Sequence, residues 1–165
     1  LNNQVKIEGE SSQIYLAMAC WAEAKGLEGV AQFMYKQSDE ERMHMLRLVK
    51  FVNERGGDAY ISELKAPNVS FNNFREMFQA LHDHEIFVSA SINDLVHVTL
   101  HEKDYATHNF LQWYVTEQIE EEAQARAILD KINLIGDDKG GLYLFDRDIQ
   151  QLTIYNVAGT PNAGA

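Results

Sequence analysis

The chain has 165 residues and a net charge of −11 at pH 7, from 14 basic and 25 acidic residues. This length favours a single domain over residues 1–165 with a sizeable core. The negative charge argues against nucleic acid or an anionic membrane as a partner and favours cations. The single cysteine, Cys20, excludes an intrachain disulfide and fits a reducing compartment, so a cytoplasmic location is expected. No uninterrupted apolar run has the length of a membrane span.

Apolar residues at spacings of three and four predict two long helices near the start of the chain. The first covers about residues 1–25, and the second covers about residues 27–55. Glycine follows each of them, Gly26 after the first and Gly56 after the second, as is common at helix C-termini. Since the link between these helices is short, they are expected to pack as an antiparallel pair.

The same spacing predicts two further long helices in the second half of the chain. The third begins near Asn73, where Glu76 three residues later resembles a capping box, and it runs to a break near Lys103. The fourth continues from that break and stops at Gly136. A short loop then leads to a fifth, shorter helix over about residues 142–155.

One connection is much longer than the others. It covers residues 58–70, has no clear periodicity and contains Pro67, so it can span the length of a bundle. We therefore predict an all-α fold with four long helices over about residues 1–136, one long crossover and a short fifth C-terminal helix. Residues 158–165 have the composition of a frayed tail.

Five residues that can bind metal interrupt the apolar stripes of the four long helices. An ionised carboxylate in a core costs on the order of several kcal/mol unless it is paired or bound to a metal. Each of the five falls near the middle of its helix, so an antiparallel bundle can bring them to one height. The five are Glu8, Glu41, His44, Glu85 and Glu121.

The pair Glu41-x-x-His44 presents a carboxylate and an imidazole on one helix face, because residues three apart on a helix are neighbours. Carboxylate and imidazole ligands without a thiolate suit iron, manganese or zinc. Four carboxylates balance the charge of two divalent ions, and one carboxylate can bridge them. A bundle core with this ligand set is typical of di-iron carboxylate proteins, which deliver two electrons to dioxygen or peroxide.

Two other interpretations of these residues stay open at this point. The bundle can be purely structural, since a single glutamate on a stripe is often a stripe misread by one position. A glutamate on the apolar stripe of all four long helices argues against that interpretation. The bundle can also be a di-iron or di-manganese oxidase that acts on a small organic substrate and stores no iron. Such enzymes usually have longer chains with extra helices around a pocket.

The sequence around these residues resembles the bacterial non-haem ferritins along nearly the whole chain. The most specific stretches are DEERMHM at residues 39–45 and NFLQWYVTEQIEEE at residues 109–122. The resemblance implies a ferritin-like four-helix bundle and a ferroxidase that oxidises Fe(II) to Fe(III) with dioxygen or hydrogen peroxide. It further implies storage of ferric mineral inside a hollow homo-oligomeric shell of twenty-four subunits.

The resemblance also implies roles for individual residues. Glu8, Glu41 and His44 would hold the first iron, with Glu41 as the bridge, and Glu85 and Glu121 would complete the site of the second. This gives two iron ions per ferroxidase centre.

Further residues match other parts of the family's site. Gln118 would lie beside the centre as a polar group, and Tyr15 matches the family's tyrosine near the centre. From its place on the stripe of Glu8, the Tyr15 side chain could hydrogen-bond a ligand carboxylate or supply an electron. A third iron site typical of the bacterial branch is matched by four acidic residues, Glu40, Glu117, Glu120 and Glu121. A solvated helix face is the alternative for the first three of these.

Haem is not expected in this chain. Bacterioferritins bind haem through a methionine directly after the glutamate of the first motif, and this chain has Arg42 at that position, with Met43 one residue further on. Rubrerythrins add a small cysteine-rich domain, which a chain with one cysteine lacks.

Overall fold

The computed structural model describes residues 1–149 and has an all-α fold. α1 packs along α2 and α3 packs along α4, and the crossover over residues 55–73 joins the two pairs. The all-α class and the four long helices are therefore confirmed. The helices are α1 (Asn2–Ala24), α2 (Glu28–Glu54), α3 (Phe74–His101), α4 (Tyr105–Ile135) and α5 (Lys139–Ile149). Among these described helices, none combines the length and the apolar character that crossing a membrane requires.

Side-chain caps fix the start of α3 and α4 where the sequence predicts them. The Asn73 carboxamide oxygen accepts a hydrogen bond from the backbone N–H of Glu76 at 2.9 Å, and the Glu76 carboxylate accepts one from the N–H of Asn72 at 3.0 Å. The Asp104 carboxylate accepts one from the N–H of Thr107 at 3.1 Å. Both caps satisfy backbone donors that have no partner within their helix.

The predicted fifth helix is present, but it begins earlier than the expected start at about residue 142. α5 begins at Lys139, because the Asp138 carboxylate accepts a hydrogen bond from the N–H of Gly141 at 2.6 Å and caps the first turn. Gly140 and Gly141 hid this start, since glycine is unfavourable in a helix interior.

Two parts of the predicted organisation lie outside the described residues. These are the end of the fifth helix near residue 155 and the tail over residues 158–165. The division of the chain as one domain over residues 1–165 stays a prediction.

α5 packs against the start of α2. The Asp146 carboxylate accepts a hydrogen bond from the N–H of Val30 at 2.9 Å, so a residue far along the chain caps α2. The residue at the N-cap position of α2, Leu27, offers no side-chain cap. Gly29 permits the close approach, because a Cβ atom at this position would lie 1.7 Å from the backbone oxygen of Asp146.

Replacing Gly29 with alanine is expected to displace α5 and destabilise the protein. The added Cβ would overlap a backbone atom, so no side-chain rotation relieves the contact. We expect a loss of roughly 2–4 kcal/mol, measured by guanidinium unfolding, because both the cap and the apolar packing of Phe145 are disturbed. Asp146→Ala is the matched control, since it removes only the cap and should cost about 1 kcal/mol. Unchanged stability of Gly29→Ala would contradict this packing.

Two apolar clusters fill the bundle, and a polar layer separates them. On each long helix, a candidate ligand lies between a residue of one cluster and a residue of the other, which brings the candidates to one height. One cluster includes Met18, Met34, Phe78 and Ile128, and the other includes Val5, Leu48, Val88 and Leu111. The buried polar residues of the layer include Gln4, Glu8, Gln37, Glu41, His44, Glu85 and Gln118.

Candidate metal centre

Three of the candidate ligands form one compact cluster. Glu8 from α1 and Glu41 and His44 from α2 each offer a ligand atom, and these atoms all lie within 4.8 Å of one another. Nδ1 of His44 lies 3.6 Å from Oε2 of Glu41. All three side chains are buried. The antiparallel packing of α1 and α2 therefore preforms a three-ligand site in the polar layer.

One oxygen of Glu8 accepts no hydrogen bond within residues 1–149. Oε1 accepts a hydrogen bond from the amide of Gln4 at 3.0 Å, but the buried Oε2 has none among the described residues. A buried carboxylate oxygen without a donor is unfavourable unless it takes a proton or a cation. Since this oxygen belongs to the same cluster as Glu41 and His44, the arrangement fits a bound cation.

His44 is held in place by α4. The Tyr114 hydroxyl donates a hydrogen bond to the backbone oxygen of His44 at 2.8 Å. The Trp113 ring lies nearly perpendicular to the His44 imidazole, with centroids 5.1 Å apart. These contacts join the two helix pairs next to the cluster and restrict the position of the imidazole.

Glu85 lies outside the three-ligand cluster and is held by two neighbours. Its Oε1 accepts a hydrogen bond from the hydroxyl of Tyr15, and its Oε2 accepts one from the amide of Gln118 at 3.1 Å. Tyr15 and Gln118 are both buried. The structure thus places two residues singled out in the sequence directly against a candidate ligand, one from α1 and one from α4.

Glu121 also lies outside the cluster, at the edge of the polar layer. It is half-buried, and its Oε2 accepts a hydrogen bond from the amide of Gln37 at 3.1 Å. After burial, the largest influences on its pKa come from Glu85 and then Glu40, which both raise it. The half-buried Glu121 therefore responds both to a buried carboxylate and to a partly exposed one.

Sequence reasoning missed two residues that hold candidate ligands. These are Gln4, which contacts Glu8, and Gln37, which contacts Glu121. The signal was present, since each is a glutamine that occurs four residues before a candidate ligand, Glu8 or Glu41, and thus lies on the same helix face.

The other acidic candidates lie at the half-buried edge of α2 and α4. Glu40, Glu117 and Glu120 are all partly exposed, and Glu40 also lies 3.6 Å from the ammonium group of Lys36. Burial raises the pKa of Glu117, and the charges of Glu120 and Glu40 add to this. The charges of Glu40 and Glu117 also act on Glu121, but among the described residues the ligand atoms of these glutamates do not converge as those of the compact cluster do. We call Glu40, Glu117 and Glu120 the outer acidic group.

The buried carboxyl groups of Glu8, Glu41 and Glu85 and the half-buried one of Glu121 hold their protons more tightly than ordinary glutamates. Burial is the largest cause and raises the pKa of Glu8, Glu41 and Glu85, while the pKa of Glu121 rises to about 8. Repulsion between the carboxylates adds to the effect. Divalent cations can replace such protons, so this set of oxygen donors with one imidazole can bind iron, manganese or zinc.

Known proteins with similar sequences show the family of this chain. Residues 1–135 match the ferritin family through its ferritin-like domain. A probable bacterial non-heme ferritin-like protein of Haemophilus influenzae is 42% identical over 153 residues, which cover 93% of each chain. A bacterial non-heme ferritin of Campylobacter jejuni is 40% identical over 154 residues, which cover 93% of this chain and 92% of the relative.

Solved structures agree with the sequence comparison. The open pore ferritin from the archaeon Archaeoglobus fulgidus aligns with a TM-score of 0.89 at 40% identity, over 90% of this chain and 91% of the other. The ferritin-like fold expected from the sequence is therefore confirmed. By its family match, its relatives and its fold, this chain belongs to the ferritin family.

Proposed function

We propose that this protein oxidises Fe(II) to Fe(III) in the polar layer of its bundle and stores the ferric product as mineral. The observation that carries the proposal is the compact buried cluster of Glu8, Glu41 and His44 with its unpartnered carboxylate oxygen. Membership of the ferritin family confirms the function class expected from the sequence, iron storage with ferroxidase activity. Ferritins bind iron at carboxylate-rich sites and form oligomeric cages.

Each iron ion is assigned its own ligands within the polar layer. The first Fe(II) would bind Glu8, Glu41 and His44, because their ligand atoms already converge. Glu41 would bridge to a second Fe(II), which Glu85 and Glu121 would bind. Protons held by the buried carboxyl groups leave as the ions bind.

Two adjacent iron ions supply the two electrons that the oxidants need. When dioxygen is the oxidant, each Fe(II) gives up one electron, and dioxygen takes up two electrons and two protons to form hydrogen peroxide. When hydrogen peroxide is the oxidant, two electrons and two protons convert it to two water molecules. Hard carboxylate oxygens favour Fe(III) and so lower the reduction potential of the iron.

Three finer assignments complete the proposal. The outer acidic group, together with Glu121, would form a third iron site between the centre and the mineral; its shared electrostatic environment and partial exposure support this role. The assembly would be a shell of twenty-four copies. The protein would work in the cytoplasm, since iron storage and a single cysteine both fit a reducing compartment.

Iron loading of protein sized by gel filtration tests the proposed function. Fe(II) is added without oxygen, air is admitted, and retained iron is counted after desalting. We expect a particle far larger than one 18.8 kDa chain, holding many more irons than the ligands of the centre can bind. Iron oxidised in the same buffer without protein is the control and should precipitate. A small particle with two or three irons per chain would contradict storage and favour an oxidase.

A further inference from the structure

Three buried glutamine side chains each contact one of three candidate ligands. Each glutamine donates an amide hydrogen bond to one carboxylate. One of these contacts lies within α1, and the other two join α4 to α3 and to α2. The pairs are Gln4 with Glu8 at 3.0 Å, Gln118 with Glu85 at 3.1 Å and Gln37 with Glu121 at 3.1 Å. A hydrogen bond of this kind orients the carboxylate before a metal ion binds. When the orientation is correct, it increases the affinity of the site for the metal.

Glu121 differs from the other two carboxylates because it has two possible uses. It is half-buried, and the charges of the buried Glu85 and of the partly exposed Glu40 and Glu117 all act on it. A glutamate side chain in this position can turn toward either group. The partner that holds it therefore decides which iron position it serves.

Gln37 holds Glu121 from the core side. Only 3% of Gln37 is exposed, and it lies one turn before Glu41 on the inward face of α2. Its amide reaches across to α4 and donates to Oε2 of Glu121 at 3.1 Å. A donor this deep in the bundle draws the carboxylate inward, away from the outer acidic group.

We propose that Gln37 is a positioning residue that reserves Glu121 for the second iron position of the centre. Without the amide, Glu121 turns more often toward the outer acidic group, and the second ion loses a preoriented ligand. The inference rests on the proposed function, since it assigns a role within the same iron site. It also predicts that Gln4, which contacts Glu8, affects binding of the first ion and not of the second.

Anaerobic calorimetric titration with Co(II), a divalent ion that air does not readily oxidise in such sites, tests this inference. The variant Gln37→Met keeps the length of the side chain but removes the donor. We expect its second binding step to weaken about tenfold, with the first step unchanged. The matched variant Gln4→Met should weaken the first step instead. A binding step that weakens in Glu120→Gln belongs to the outer acidic group. That step should not weaken in Gln37→Met.

Oxidation kinetics give a second, independent readout. In Gln37→Met, the Fe(II) concentration for half-maximal rate should rise about tenfold while the maximal rate changes less. Unchanged Co(II) steps, or equal weakening of both steps in Gln37→Met, would overturn the inference. If that variant does not assemble, Gln37→Asn keeps the amide but shortens its reach, and the same comparison applies. Failure of the native protein to bind two Co(II) ions would count against the proposed function itself.

Discussion

Replacing Glu41 with glutamine is expected to lower the rate of rapid Fe(II) oxidation by on the order of a hundredfold or more, because loss of a group that merely orients a ligand already costs about 10–100-fold. Glu41 belongs to the compact cluster and is the carboxylate assigned to both ions. Glutamine has nearly the same shape, but it carries no negative charge and cannot bridge two cations. Stopped-flow absorbance after mixing Fe(II)-loaded protein with oxygenated buffer measures the rate.

The same substitution should leave the fold intact or stabilise it. It removes a buried carboxyl group that burial and neighbouring carboxylates disfavour in its charged form. Glu63→Gln, at an exposed position of the crossover, is the matched control and should change neither oxidation nor stability. A Glu41→Gln variant that oxidises iron at the native rate would favour the purely structural interpretation of the buried glutamates.

The metal-free protein is expected to become less stable as the pH rises from about 4.5 to about 8. Burial and repulsion from Glu85 raise the pKa of Glu121 from 4.5 to about 8, so the folded state binds more protons than the unfolded state in this range. Stability contributed by this proton is present at low pH and is lost as the pH passes through the folded pKa. At about 1.4 kcal/mol per pKa unit, Glu121 alone contributes on the order of a few kcal/mol.

Guanidinium unfolding of metal-free protein at pH 5, 6.5 and 8 measures this slope. In Glu121→Gln the slope should be smaller, because one of the titrating carboxyl groups is gone. Added Co(II) should restore the stability of the native protein at pH 8, since a cation replaces the missing protons. A native protein whose stability increases across this range, with the same slope in the variant, would refute the assigned pKa of Glu121.

Local sequence signals determined the helices and the composition of the site. The period of the apolar residues defined four helices, and the caps at Asn73 and Asp104 depend on residues only three positions apart. Glutamates on apolar stripes identified the polar layer, because a buried charge needs a partner wherever it occurs. Glu41 and His44 were predictable as a pair, since one helix turn places them on the same face.

Tertiary packing alone decided how the site is divided. Glu8 joins Glu41 and His44 in the compact cluster, whereas Glu85 and Glu121 lie outside it and accept hydrogen bonds from Tyr15 and Gln37. These contacts join helices that are far apart in the sequence, and they depend on helix separation and side-chain rotamers that no local pattern encodes.

The N-terminal cap of α2 also depends on a contact between helices that are far apart in the sequence. It comes from Asp146 on α5, which reaches Val30 only because Gly29 leaves room for its backbone. Periodicity and spacing act within one helix and are therefore readable in the sequence. Which donor reaches which carboxylate is set by the packing between helices, and that is a property of the folded bundle.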